Sequence, residues 1–132
     1  MEQSAGNLTG VWQGLYTYPS RNQRVLFGAT LIETASWVTG STQEPCTSGE
    51  QIGETLYATL LGRRDGTTVA FTKTYDGSNP RYRVVEYEGT VSADATEIEG
   101  CWAISRSWSG KFLMIRAAGR EQAIERKVFE RI

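Results

Sequence analysis

The sequence predicts an all-β protein: an eight-stranded antiparallel up-and-down β-barrel with a short C-terminal helix. Three observations carry this. From Leu8 to Ala117 the chain is made of short runs rich in Thr, Val, Tyr, Phe and Trp; Gly, Asp, Asn or Ser separates the runs at regular intervals; and no helix interrupts them. Evenly spaced strands with short connections favour a meander, and eight of them can close and leave no sheet edge. A parallel sheet would need crossover helices, which this pattern lacks.

The runs fall at about 8–18, 24–33, 37–43, 56–63, 67–75, 82–92, 97–105 and 110–117. The first puts Trp12, Gly14, Tyr16 and Tyr18 on one face; the second supplies Phe27 to the interior; the third starts at an outward Trp37. The fourth and fifth are joined by Asp65-Gly66, a two-residue hairpin signal that pairs Arg64 with Thr67. Counting outward sets Gly62 opposite Val69, Leu60 opposite Phe71, Ala58 opposite Lys73 and Leu56 opposite Tyr75, so the apolar sides coincide. The sixth and seventh pair Val91 with Ile98, Gly89 with Gly100 and Tyr87 with Trp102, leaving Glu86, Glu88, Glu99, Cys101 and Ala103 on the solvent side. The eighth turns Phe112, Met114 and Arg116 inward.

Residues 1–7 are expected to form a flexible N-terminus, 8–117 the barrel and 118–132 an appendage. In the appendage Ile124, Val128 and Ile132 recur every four residues among Glu, Arg and Lys, the spacing of an amphipathic helix lying against the barrel. The same residues share a period-two face, so an extra strand competes with the helix. The topology also sorts the connections by end. Turns at 33–36, 64–67 and 93–96 are short, whereas 19–23, 44–55, 76–81 and 106–109 are longer and mark a mouth, where binding groups reside. The stretch 44–55 is long enough to act as a lid or to be mobile.

Composition narrows the function. The 132 residues carry 14 Lys plus Arg against 15 Asp plus Glu, a net charge of -1, and no histidine. One core of this size folds independently. The cations are interspersed with glutamates, so no nucleic-acid partner is expected. No apolar run approaches the ~20 residues that cross a bilayer. Met1 to Gly10 lacks a basic region followed by an apolar stretch, so no membrane partner is expected and the location is read as cytoplasmic. The missing histidine removes Ser/His/Asp and Cys/His nucleophiles, histidine-bound zinc and a proximal haem ligand. Cys46 and Cys101 show no CxxC spacing and read as free thiols, so neither metal nor cofactor is expected.

Leu8-Thr9-Gly10-Val11-Trp12, a Gly-x-Trp at the start of the first strand, together with Arg116 at the close of the last, resembles the calycin signature shared by avidins, lipocalins and fatty-acid-binding proteins. The resemblance implies that Trp12 and Arg116 pack together as a structural plug at the closed end, and that the barrel holds a small molecule. An arginine plane stacked on indole is worth about 1 kcal/mol, so such a plug is physically sensible. The short strands, tight hairpins and Val38-Thr39-Gly40-Ser41 look closest to avidin-like barrels. The biotin site does not carry over, because Gln13-Gly14-Leu15-Tyr16 stands where avidins place polar side chains for the ureido group.

Lys73 is the residue to single out, since it alternates with Val69, Phe71 and Tyr75 on the inward face. A lysine in an apolar interior is costly unless paired or hydrated. It either anchors an anionic ligand, with Tyr75 and Tyr18 as phenolic donors, or snorkels to solvent or pairs with Glu86 or another carboxylate. Tyr16 and Trp102 are walls of a pocket or plain core, and the Gly89–Gly100 pair beside Trp102 makes a cavity or a bend. Trp108, in the polar connection Ser105 to Gly110, touches a ligand or packs on the rim.

The expected function is enclosure of a small, partly apolar or anionic molecule at the mouth by Tyr16, Tyr18, Phe27, Lys73, Tyr75, Trp102 and Trp108. The alternative is an interaction barrel with a filled interior, forming a homo-oligomer through outward Trp37, Tyr57 and Leu61. Catalysis is not expected, since one inward lysine beside Tyr75 is thin support for Schiff-base or proton-shuttle chemistry. Interior volume separates the first two, a cavity of roughly 300 Å³ or more favouring the ligand.

Overall fold

The computed structural model describes residues 6–19, 23–46, 52–77, 84–105 and 108–117. The helix or strand expected over 118–132, and 47–51 of the expected lid, lie outside them. The strands are β1 (Gly10–Thr17), β2 (Arg24–Thr34), β3 (Trp37–Pro45), β4 (Thr55–Asp65), β5 (Thr68–Tyr75), β6 (Val84–Val91), β7 (Glu97–Ser105) and β8 (Trp108–Arg116). Each pairs antiparallel with the next and β8 returns to β1, so the sheet is a closed eight-stranded barrel. Trp12 opposite Arg116 and Tyr16 opposite Phe112 make the closing seam.

Alternation builds the core. Trp12 and Tyr16 of β1, Val25, Phe27, Ala29 and Leu31 of β2, and Val69, Phe71 and Lys73 of β5 are buried at every second position. Tyr87 stacks on Phe71 at 5.1 Å between ring centres, and Phe112 meets Tyr87 edge-on at 5.0 Å. Glu86, Glu88, Glu99 and Cys101 stand on the exposed side, as the pleat requires. One patch departs from simple alternation: Leu15, Leu113 and Ile115 lie on the outward faces of β1 and β8 yet are buried together, with Ala117 against them.

Two registers can be compared with expectation. Val91 opposite Ile98, Gly89 opposite Gly100 and Tyr87 opposite Trp102 are found as predicted. The β4–β5 register is corrected by two residues: Asp65 pairs with Thr68, Gly62 with Phe71, Leu60 with Lys73 and Ala58 with Tyr75. The turn residues are therefore Gly66 and Thr67, with Gly66 at the first central position, where it takes φ +63°. Thr68 Oγ1 donates to the Asp65 carbonyl at 2.9 Å and supports this turn. Moving the turn by one residue slides the pairing by two, so every side chain keeps its face although its partner changes. Leu60, not Ala58, is the cross-strand neighbour of Lys73.

Two boundaries also move. β3 runs on to Pro45, which takes Glu44 out of the connection and into the strand. β8 begins at Trp108, which pairs with Ser105 beyond an irregularity at Ala103/Ser105, so Trp108 belongs to a strand end and not to a loop.

Candidate functional site

The closed end is built on β1, β8 and the segment before β1. The Arg116 guanidinium lies over the Trp12 ring at 4.7 Å. It donates to the Ala95, Thr9 and Asn7 carbonyls at 3.1, 2.8 and 2.5 Å. Trp12 Nε1 donates to the Leu8 carbonyl at 3.0 Å, so the indole is anchored on both its face and its edge. Nearby Glu33 holds Leu8 N at 2.8 Å and pairs with Arg64 at 3.0 Å. Partial burial pushes the Arg116 pKa down, with Arg64 as a smaller cause in the same direction and Glu33 opposing. Among the described residues the acceptors of Arg116 are backbone carbonyls, which makes this end a fixed plug.

The mouth end holds the second cation. Inward alternation along β3 brings Val38, Thr42 and Glu44 to the interior, and Glu44 is only 3% exposed. Lys73 of β5 is 1% exposed and donates to Glu44 Oε1 at 2.6 Å. Tyr16 donates to Glu44 Oε2 at 2.5 Å, and the Tyr75 hydroxyl lies 3.1 Å from both oxygens. Lys73 Nζ is also 3.5 Å from the Tyr87 hydroxyl. The rings of Tyr16, Phe27, Tyr75 and Tyr87 surround the ammonium at 5.2, 5.4, 4.7 and 5.6 Å, within cation–π range. The network thus joins β1, β3, β5 and β6 across the barrel.

Electrostatics follow from that enclosure. Burial pushes the Lys73 ammonium below its ordinary pKa, while the charge and hydrogen bond of Glu44 oppose the shift. Burial first, then the Glu44 charge, pushes the hydroxyls of Tyr16, Tyr75 and Tyr87 far above the ordinary phenol value. The tyrosines therefore stay neutral donors beside the carboxylate, the form in which a short hydrogen bond to it is stabilising.

Above the network is an aromatic cluster. Half-buried Tyr18 meets Tyr16 at 5.8 Å, Trp102 at 5.9 Å and Trp108 at 5.9 Å. Trp102 is buried and its Nε1 donates to the Thr17 carbonyl at 2.9 Å, so it is held by β1. Trp108 is 37% exposed at the rim. Gly89 and Gly100 create no cavity: a Cβ at Gly100 would collide with the Glu88 carbonyl and the Gly89 backbone, so the pair lets β6 and β7 approach closely.

Tyr16, Phe27, Lys73 and Tyr75 are thus gathered around one carboxylate, and Tyr18, Trp102 and Trp108 form the cluster beside them. Lys73 does pair with a carboxylate, but with Glu44 and not Glu86, which is exposed and accepts from Thr72. The residues not anticipated are Glu44 and Tyr87. Carrying the β3 alternation one step past Thr42 turns Glu44 inward; the pairing with Trp102 places Tyr87 inward, but alternation alone assigns its hydroxyl no partner. Among the described residues no group of three or more His, Cys, Asp or Glu side chains could hold a metal, and no helix is long and apolar enough to cross a membrane.

Fold and site together define an up-and-down barrel with a charge-balanced polar centre beneath an aromatic rim. Neither a protein-family model nor a curated protein matches this chain.

Proposed function

We propose that the protein is a calycin-like barrel that binds a small, partly apolar molecule at its mouth, on the rim formed by Tyr18, Tyr75, Trp102 and Trp108. The observation that supports this is the cluster of Tyr18, Trp102 and Trp108 rings next to Tyr16 of the buried Glu44–Lys73 network, with Tyr18 half-buried and Trp108 exposed against buried Trp102. Aromatic faces bind planar or apolar ligands with little loss of side-chain entropy. Because Glu44 already balances Lys73, a ligand resting on the rim needs no charge of its own. Lys73 also offers no unpaired amine, which a Schiff-base reaction would require.

Native mass spectrometry of protein recovered from its source cells tests this reading. The expected result is an added small-molecule mass that is lost when Tyr18 and Trp108 are both changed to Ala. A bare polypeptide mass throughout, with rim tryptophan fluorescence unmoved by cell extract metabolites, overturns it.

A second reading, an interaction barrel, draws on the outer wall. Trp37 and Leu61 are 48% and 56% exposed, and Trp37 lies diagonal to both Leu61 and the exposed Ile32 through Thr39. Light scattering on wild type and on Trp37→Glu with Leu61→Glu checks it; a monomer in both cases removes it.

A further inference from the structure

Glu44 occupies an unusual place in the sheet. The β2–β3 pairing ends at Gly28 opposite Gln43, whereas the β3–β4 pairing continues to Pro45 opposite Thr55. Past Gln43, then, β3 has a strand on one side only, while β2 continues along β1 through Phe27 to Arg24. A groove of about 540 Å³ lies at this split. Outward Gln43 and Tyr57 share its wall with inward Gly14, Phe27 and Glu44, so it reaches from the outer surface to the residues of the polar centre. One pleat deeper than Glu44, the buried Thr42 hydroxyl has no hydrogen-bond partner among the described residues.

Apart from Glu44 itself, the polar centre is a receptor. Lys73 Nζ and the hydroxyls of Tyr16 and Tyr75 converge on two oxygens at 2.5 to 3.1 Å, the contacts by which proteins hold a free carboxylate. These donors come from β1 and β5, and their placement does not depend on the covalent link between that carboxylate and β3.

We infer that Lys73, Tyr16 and Tyr75 form a carboxylate-binding site that Glu44 fills in cis, and that the split between β2 and β3 gives a small carboxylic acid a route to replace it. The exchange balances charge, since one carboxylate leaves the ammonium as another arrives, and Glu44 moves toward the groove it already lines. A carboxylate on a strand end with one paired neighbour is the member of the network that can be exchanged at least backbone cost. This goes beyond the mouth reading: it names an interior site and a ligand class, and it stands whether or not the rim binds anything.

The test uses the full chain carrying Glu44→Ala, with sodium acetate as probe and sodium chloride at matched ionic strength as control. Acetate is expected to raise the urea midpoint of this variant in a saturable way and to recover about half or more of the loss, by linkage of binding to folding. Wild type, where acetate must first displace Glu44, should show a smaller acetate-specific shift that needs more acetate, whereas Glu44→Ala with Lys73→Met should respond equally to the two salts. If Glu44→Ala does not fold in chloride, recovery of the strand circular dichroism in acetate alone is the supporting result. Equal responses of Glu44→Ala to both salts, failure to fold in either, or the same acetate response in all three proteins overturns the inference. The Tyr18 and Trp108 variants report on the rim alone, so failure of one proposal is distinguishable from failure of the other.

Discussion

The two ends of the barrel each set a cation against aromatic side chains, Arg116 half-buried on Trp12 and Lys73 fully enclosed, and they satisfy it differently. Arg116 stacks on Trp12 and spends its donors on backbone carbonyls of Asn7, Thr9 and Ala95. Lys73 sits among four rings and spends its strongest hydrogen bond on the side chain of Glu44. A backbone carbonyl is a neutral partner that cannot leave without unfolding its segment. A carboxylate is charged, can turn about its own side chain, and leaves an unpaired ammonium behind. The closed end is therefore a fixture, and the mouth end is a balanced pair whose halves depend on each other.

The largest expected effect comes from breaking that balance. Lys73→Ala leaves the Glu44 charge buried without its cation, and a loss of about 3–5 kcal/mol in denaturant unfolding is expected. Combining Lys73→Met with Glu44→Gln should restore most of it, because a neutral pair of similar volume needs no counter-charge. If the double change is as damaging as the single one, the pair acts through packing and not through charge.

Next in size is Arg116→Ala, which should cost about 1–3 kcal/mol through carbonyls left without donors, plus the lost stack on Trp12. Half-burial lets water replace part of what the guanidinium did, so this loss should be smaller than that of Lys73→Ala. The reverse order in thermal or chemical unfolding would break the comparison between the ends.

Alkali should act on the mouth end. The folded-state values of Tyr16, Tyr75 and Tyr87 lie above the unfolded value of about 10. Their contribution is therefore complete below that pH and is lost as pH rises above it, because the unfolded chain releases protons that the folded one retains. Lys73, lowered by burial, has the opposite sign: stability rises with pH between its folded value and about 10.4, and above that only the tyrosine loss remains. Phenolate absorbance of these three residues should thus appear together with unfolding. Smooth ionisation in a still-folded protein would show that water reaches the centre.

The smallest effect belongs to the β6–β7 turn at the closed end. Asp94 is held below the usual carboxylate range by the Thr96 hydroxyl first, then by Ser92 Oγ and the Thr96 backbone N–H. Its contribution is present above the ordinary carboxylate pKa and fades as pH falls through the depressed value. Thr96→Val should raise the Asp94 pKa seen by NMR titration while leaving the alkaline behaviour of the tyrosines unchanged.

Much of the site was legible because period-two alternation is local. It put Tyr16, Phe27, Lys73 and Tyr75 in the interior without any knowledge of which strands would meet. The sequence separation of 29 between Glu44 and Lys73 explains what was not legible, since nothing near either residue names the other. Trp108 was read into a connection because Ser105, Arg106, Ser107 and Ser109 hide the strand start that pairing with Ser105 reveals.

By itself the sequence determined the strands, the faces of their side chains, the β6–β7 register and the two ends of the barrel, all of which follow from alternation and turn chemistry over a few residues. Tertiary structure alone decided the β4–β5 partners, the end of β3 and the counter-ion of Lys73. The physical reason is that a two-residue slip preserves every face and so leaves no mark on the alternation. A buried charge, moreover, selects its partner only when barrel closure brings β3 and β5 across from one another and removes the water that would otherwise have served.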